Sequence, residues 1–197
     1  MTIKKILAWT GLMAIFTPFA LAQVRPATVG GGGSIIVGGE FSSFAPHSLK
    51  GIDLYQYAPT KLSGIGTFFD INLKPRWGVE GEARWLKWHS SQGESQTHYL
   101  IGPHYRVLSH GNFSVWGKFL VGGGLETFPE KIGHGSYFAL APGATVVYQV
   151  TQRIDVRADY EYQSWPNAPN LSPLIPNKGI SPRGFSIGIG YTILNAQ

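Results

Sequence analysis

The chain has 197 residues, a formal net charge of +5 and only 14% charged side chains, against about 25% in an average soluble domain. Its 26 glycines and 13% aromatic content accompany a mean hydropathy of -0.01, which excludes both a highly charged disordered chain and a bundle of apolar membrane helices. It has no cysteine, so a disulfide scaffold, a thiolate zinc site and a cysteine nucleophile are excluded as well.

The first element in chain order is a targeting segment. Lys4 and Lys5 precede the mostly apolar run Ile6 to Phe19, and Ala20-Leu21-Ala22 is an A-x-A site. This pattern predicts a signal peptide over 1–22, cleaved after Ala22. Its removal takes away two lysines and leaves a modest +3. The remaining bases are scattered, which gives no nucleic-acid footprint. Residues 23–33, with Gly30 to Gly33, read as a short flexible segment. No later stretch approaches the ~18 apolar residues of a membrane helix, so a membrane-spanning form would have to be a β-barrel.

Eight segments then alternate between apolar and polar residues with the period of a strand, over 34–44, 61–73, 76–88, 97–107, 112–123, 136–149, 152–163 and 183–193. The clearest runs from Arg153 to Tyr162, with Arg153, Asp155, Arg157, Asp159 and Glu161 on one face and Ile154, Val156, Ala158, Tyr160 and Tyr162 on the other. Links after the second, fourth and sixth segments are tight, and those after the odd-numbered segments are long. An even strand count with alternating short and long links predicts an all-β, eight-stranded, antiparallel up-and-down transmembrane barrel over 34–193, followed by a short extension at 194–197. Its short turns would face the periplasm and its long loops the outside.

Such a barrel is apolar outside and polar inside. The predicted inward charges are Glu40, Asp70, Glu80, Glu82, Arg84, Arg106, Lys118, Arg153, Asp155, Arg157, Asp159 and Glu161, with His104 beside them. Eight strands leave a lumen that side chains fill, so these charges predict a salt-bridge plug; a narrow or gated pore is the functional alternative. Trp85, Tyr99, Tyr160 and Tyr162 fall near one end of the strands and Trp77, Phe113, Tyr148 and Tyr191 near the other, as two aromatic girdles would. Pro103 and Pro142 lie inside strands and predict bulges. Trp116 and Leu120 point inward by parity, which means either lumen packing or a shift of register.

The whole of 23–197 resembles the small outer-membrane β-barrel superfamily of porin-like and OmpA-like transmembrane domains. Arg76 to Leu86 looks like the family's third strand and Arg153 to Tyr162 like its seventh. Ser186, Gly188, Tyr191 and Ile193 look like the C-terminal assembly signal, with isoleucine where the pattern favours an aromatic. The resemblance implies an outer-membrane location and a monomer. It implies as partners outer-membrane lipid and lipopolysaccharide, the barrel-assembly machinery and periplasmic chaperones. No periplasmic domain of the peptidoglycan-anchoring kind is expected after the barrel.

Some small outer-membrane barrels are lipid A-modifying enzymes or proteases. His89, Ser95 and His98, with Ser90, Ser91 and Glu94 nearby, are the residues from which a Ser–His–acid site could be assembled; the alternative is a solvated polar loop. His47, His110 and His134 lack metal-ligand spacing, and the glycine runs lack a following Gly-Lys-Ser/Thr, so neither metal nor cofactor is expected. The long links carry Tyr55, Tyr57 and Pro59, and Trp165, Pro166, Pro169, Pro173, Pro176 and Pro182. These offer either a contact surface or loops ordered against one another. Three readings follow: an outer-membrane barrel with a structural, porin-like or surface-contact role; a lipid A-modifying enzyme; and a soluble exported barrel holding a small apolar ligand. The last requires the opposite polarity, apolar inside and polar outside.

Overall fold

The computed structural model describes residues 33–45, 61–90, 93–127, 133–169 and 179–195. The predicted signal peptide, residues 23–32, His47, Tyr55, Tyr57, Pro59, Ser91, Pro173 and Pro176 lie outside the described residues.

Eight strands form one antiparallel sheet: β1 (Ser34–Ala45), β2 (Leu62–Lys74), β3 (Trp77–Trp88), β4 (Ser95–His110), β5 (Phe113–Thr127), β6 (His134–Gln149), β7 (Ile154–Tyr162) and β8 (Arg183–Asn195). Each pairs with its sequence neighbour, and β8 pairs with β1, closing the sheet into a barrel. Every predicted segment is present. β4 and β5 run past their predicted ends, to 16 and 15 residues: at the long-link ends the extra residues keep the alternation, and at the short-turn end the ladder continues through a register shift to His110↔Phe113. Between β4 and β5, Gly111 takes φ 57° in a two-residue turn, a left-handed conformation glycine adopts without a Cβ clash. The β6–β7 turn is held by the Thr151 hydroxyl, which accepts from the amides of Arg153 and Ile154 at 3.2 and 3.0 Å.

The pleat sorts the side chains. β7 alternates without a break, Asp155, Arg157, Asp159 and Glu161 buried, and Val156, Ala158, Tyr160 and Tyr162 exposed. On β8, Phe185, Ile187, Ile189, Tyr191 and Ile193 are 45–66% exposed, while Gly184, Ser186, Gly188 and Gly190 face inward and are buried. Apolar outside with charge inside is the reverse of a soluble ligand-binding barrel and the polarity of one built for lipid.

The predicted bulges at Pro103 and Pro142 do not occur. On one side of β4 the register passes unbroken from Val79↔Pro103 to its neighbours, and on the other it is the same at Ile101↔Val121 and His104↔Lys118. Pro142 pairs in step with Phe119, and Gly143↔Glu161 and Leu140↔Ser164 keep one register on its other side. Each proline costs one ladder hydrogen bond while its extended backbone still fits the strand, so the slot is left open and no residue is inserted. The register shifts of the sheet lie elsewhere, at Ile35/Ile36, Ser63/Gly64, Asn72/Lys74 and Arg106/Leu108.

Candidate functional site

The interior is the chemically distinctive part of the molecule, and it is filled in tiers. In the middle, three cations from three strands hold carboxylates from four. Arg84 on β3 donates Nε to Glu40 at 2.5 Å and places its other nitrogens 2.7 Å from Glu82 and 2.9 Å from Glu161. Lys118 on β5 lies 2.5 Å from Glu82, 2.9 Å from Asp159, 3.2 Å from Glu80 and 3.6 Å from Glu161. Arg157 on β7 pairs with Glu80, with Asp159 at 2.8 Å and with Asp70 at 3.3 Å, and its guanidinium lies 4.0 Å from the centre of the Phe68 ring. All three cations are buried. A buried charge is tolerable only when paired and hydrogen-bonded, and here every cation serves at least three carboxylates, so the set is one connected network. Thr145 adds its hydroxyl to Asp159 at 2.5 Å. The oxygens of Glu80, Glu82 and Asp159 lie close enough to cage a metal ion, but the Lys118 ammonium already occupies their centre.

Two predicted members of this network are elsewhere. Arg153 precedes β7, is exposed, and donates outward to the Tyr191 hydroxyl at 3.2 Å; the alternation was extended one residue too far into the turn. Arg106 is half-buried beside the β4–β5 register shift, with its guanidinium 5.4 Å from the centre of the Trp116 ring. Asp155 does face inward, below the network, and its oxygens occupy the space a Cβ at Gly190 would take. The connected set is therefore three cations against six carboxylates, more acidic than parity suggests, and Glu40 Oε2 and Asp70 Oδ1 are buried without a hydrogen-bond partner. At the short-turn end the filling is more aromatic: Trp116 stacks on His104 at 4.6 Å, and His104 bonds to Asn72 at 3.1 Å and faces Glu80 at 3.4 Å. Trp116 and Leu120 are thus lumen packing, with no shift of register.

Toward the long-link end the lumen is packed by the residues after β7, which carry its alternation on past the end of the predicted segment at 163. Ser164 bridges Leu140 through two backbone hydrogen bonds of 3.0 and 2.7 Å, Trp165 bridges Ile180, and Trp165 is 0% exposed. With Ala168 and Ile180 it packs on Leu100, Leu120, Ala139 and Ala141. Its indole N–H donates to Gln163 at 2.8 Å, and the Gln163 amide bonds to Glu161 at 2.6 Å and to His98 at 3.0 Å, which ties this apolar cork to the network beneath. Glycine makes the space: a Cβ at Gly124 would collide with the Trp165 ring. Of the two readings of this link, a contact surface or ordered packing, Trp165 follows the second, since it is fully buried in the cluster inside the barrel. The inward parity of β7 carried on through Gln163 to Trp165, and the glycine at 124 that faces it, are the sequence signals that point there.

The candidate catalytic residues are not brought together. Ser95 and His98 are an odd number of residues apart on β4, so they lie on opposite faces. His98 is fully buried between the Phe44 and Trp165 rings, edge-on to both at 5.4 Å. Ser95 is on the outer face, and His89 is exposed beyond β3 with φ 64°. Glu94, just before β4, is buried, and burial pushes its carboxyl up to about 7. The predicted girdle residues Trp77, Trp85, Tyr99, Phe113, Tyr148, Tyr160, Tyr162 and Tyr191 are all exposed on the outer face. They pair with further rings, Trp77 with Tyr105, Trp85 with Tyr99, Phe113 with Tyr148 and Tyr160 with Phe185. Of the predicted assembly signal, Ser186 and Gly188 face inward, Ser186 bonding to Ser42 at 2.8 Å, while Tyr191 and Ile193 face out.

No family model and no curated protein matches the chain. Solved structures do. OprG, an outer membrane protein of Pseudomonas aeruginosa, matches with a TM-score of 0.60 at 15% identity, over 88% of this chain and 100% of its own. Neisserial surface protein A matches with a TM-score of 0.54 at 11% identity, over 82% and 97%. The N-terminal β-barrel domain of Pseudomonas aeruginosa OprF matches with a TM-score of 0.50 at 15% identity, over 82% and 99%. The fold of this chain is that of the small eight-stranded outer-membrane barrels.

Proposed function

We propose that this chain, with the fold of the small outer-membrane barrels, is an integral outer-membrane protein whose lumen is plugged, so that its role is structural or a matter of surface contact rather than solute passage. The observation that carries the reading is the network of Arg84, Lys118 and Arg157, which joins strands from opposite walls of the barrel, capped by the fully buried Trp165. An open water column needs a path between charges that are instead bonded across the centre at 2.5–2.9 Å. The exposed apolar band, with rings at both ends of the strands, suits contact with outer-membrane lipid and lipopolysaccharide. The closed sheet leaves no edge, consistent with a monomer. Export by the predicted signal peptide, delivery by periplasmic chaperones and insertion by the barrel-assembly machinery, with Ser186, Gly188, Tyr191 and Ile193 as the signal read, complete the proposal.

Planar-bilayer recording of the purified protein tests it. The plugged barrel gives no discrete current steps; regular steps of one size would overturn the reading. Native protein in a soluble periplasmic fraction, with no shift of gel mobility on heating, would overturn the location. For the lipid A-modifying alternative the separated positions of His89, Ser95 and His98 offer no support, and lipid A mass spectra are expected to be unchanged when the protein is expressed.

A further inference from the structure

At the long-link rim, above the cork, a small group of buried oxygens has no cation. Glu94 and Glu126 are each 1% exposed, and Gln96 is 0% exposed. Gln96 on β4 and Glu126 on β5 are register partners, and the Gln96 amide donates to Glu126 Oε2 at 2.9 Å. That leaves four buried oxygens without a hydrogen-bond partner: both of Glu94, Oε1 of Glu126 and the carbonyl Oε1 of the same Gln96 amide. Among the described residues neither carboxylate makes an ion pair, in contrast to the network a few residues below, where every carboxylate of the cluster has a cation. The Tyr137 hydroxyl reaches over Gly135, the register partner of Glu126, and adds a further oxygen on that side.

A shared proton does not satisfy this arrangement. It bridges two oxygens and leaves the others orphaned, each at a cost of about 1–3 kcal/mol. A divalent cation satisfies it: two carboxylates supply the two negative charges, and the amide carbonyl adds the neutral oxygen that hard cations accept. We propose that Glu94, Glu126 and Gln96 form a calcium-type cation site at the outer rim, which clamps the β3–β4 link onto β5. Calcium fits better than magnesium, because it tolerates the irregular, partly hydrated set a loop carboxylate and two strand side chains provide, whereas magnesium demands a near-ideal octahedron. The site stands whether or not the lumen is plugged, because it lies above the cork and uses none of the network residues.

The test uses terbium, which takes calcium sites, with the full-length folded barrel in a zwitterionic detergent. Excitation of the tryptophans, Trp165 lying next to Tyr137 at 6.4 Å, is expected to give saturable terbium emission that calcium displaces. Glu94→Gln and Glu126→Gln should each weaken terbium binding about tenfold or more, while Asp155→Asn, at the far end of the barrel, should leave it unchanged. Heat-modifiable gel mobility reports that each variant is folded. On the unaltered protein, calcium should raise the urea midpoint relative to the same sample in chelator. Emission that calcium does not displace, emission that survives both glutamate substitutions, or a urea midpoint indifferent to calcium would overturn the site. A midpoint that responds to pH alone would mean that the pair only shares a proton, and would overturn it too.

Discussion

Replacing Arg157 by methionine keeps most of the volume and removes the charge at the centre of the barrel. The cost can be worked from its contacts. Asp70 loses its close cation, at 3.3 Å. Glu80 and Asp159 lose one of two, since Lys118 stays at 3.2 and 2.9 Å. Breaking a buried pair by removing one partner costs about 3–5 kcal/mol, and the remaining lysine places this case at about 3. The guanidinium also lies 4.0 Å from the Phe68 ring centre, a desolvated cation–π contact worth about 1–2 kcal/mol. Arg157→Met is therefore expected to lose about 4 kcal/mol, read from urea unfolding of the barrel in lipid vesicles by tryptophan fluorescence. Arg153→Met, which touches only the exposed Tyr191 hydroxyl, should change stability by less than about 0.5 kcal/mol. Adding Glu80→Gln to Arg157→Met should recover about 1–2 kcal/mol, because one uncompensated carboxylate is gone. If Arg157→Met stays within about 1 kcal/mol of the parent and cannot be told from Arg153→Met, the network does not hold the barrel together.

Trp165→Ala should cost about 3–5 kcal/mol, and Gly124→Val, which drives a side chain into the same ring, should destabilise in the same direction; urea midpoints unmoved by both would remove the cork. Ile189→Lys, at a lipid-facing position in the middle of β8, should cost about 2–4 kcal/mol, and Ile193→Lys near the strand end about 0–1; equal costs in vesicles would contradict the lipid-facing exterior. The Glu94 carboxyl rises from an ordinary 4.5 to about 7 in the folded protein, so the folded state keeps a proton that the unfolded chain releases. In chelator, the contribution should be fully present below pH 4.5, fall as pH rises from 4.5 to 7 and level off above. Glu94→Gln, which removes the group and with it the charge beside Glu126, should flatten that part of the profile, and an unaltered profile would show that the carboxyl is not held in this way.

How much of this was readable from residues alone follows from what period-2 alternation can and cannot carry. It fixes a face, so Glu80, Glu82, Arg84, Lys118 and Arg157 were placed inside without knowledge of their partners. It says nothing of where a strand stops, which is why Arg153 was carried into the lumen from a turn, nor of which inward groups meet, which is why Arg106, on the inner face opposite Trp116, was counted in a network it does not join. The same parity already separates Ser95 from His98, and weighing it would have dismissed the catalytic cluster. Proline was misread for a different reason: losing a donor does not require inserting a residue, and Pro103 and Pro142 leave a gap in the ladder at constant register. Trp165 keeps the inward parity of Glu161 and Gln163 beyond the end of the predicted segment at 163, so the alternation carried two residues further would have reached it, and the facing Gly124 marks the space it fills.

The inner face of β8 is made of Gly184, Ser186, Gly188 and Gly190, the smallest row in the barrel. It leaves room for what its neighbours project: Phe44 and Glu40 from β1 and Asp155 from β7 press against these glycines where a Cβ would stand. β8 is also the last strand of the chain and one side of the seam with β1. A strand with nothing to interleave can approach an already crowded interior without any large side chain having to pass another. Closing the seam is then a matter of backbone pairing along a smooth edge, with little side-chain bulk on β8 to be fitted past its neighbours.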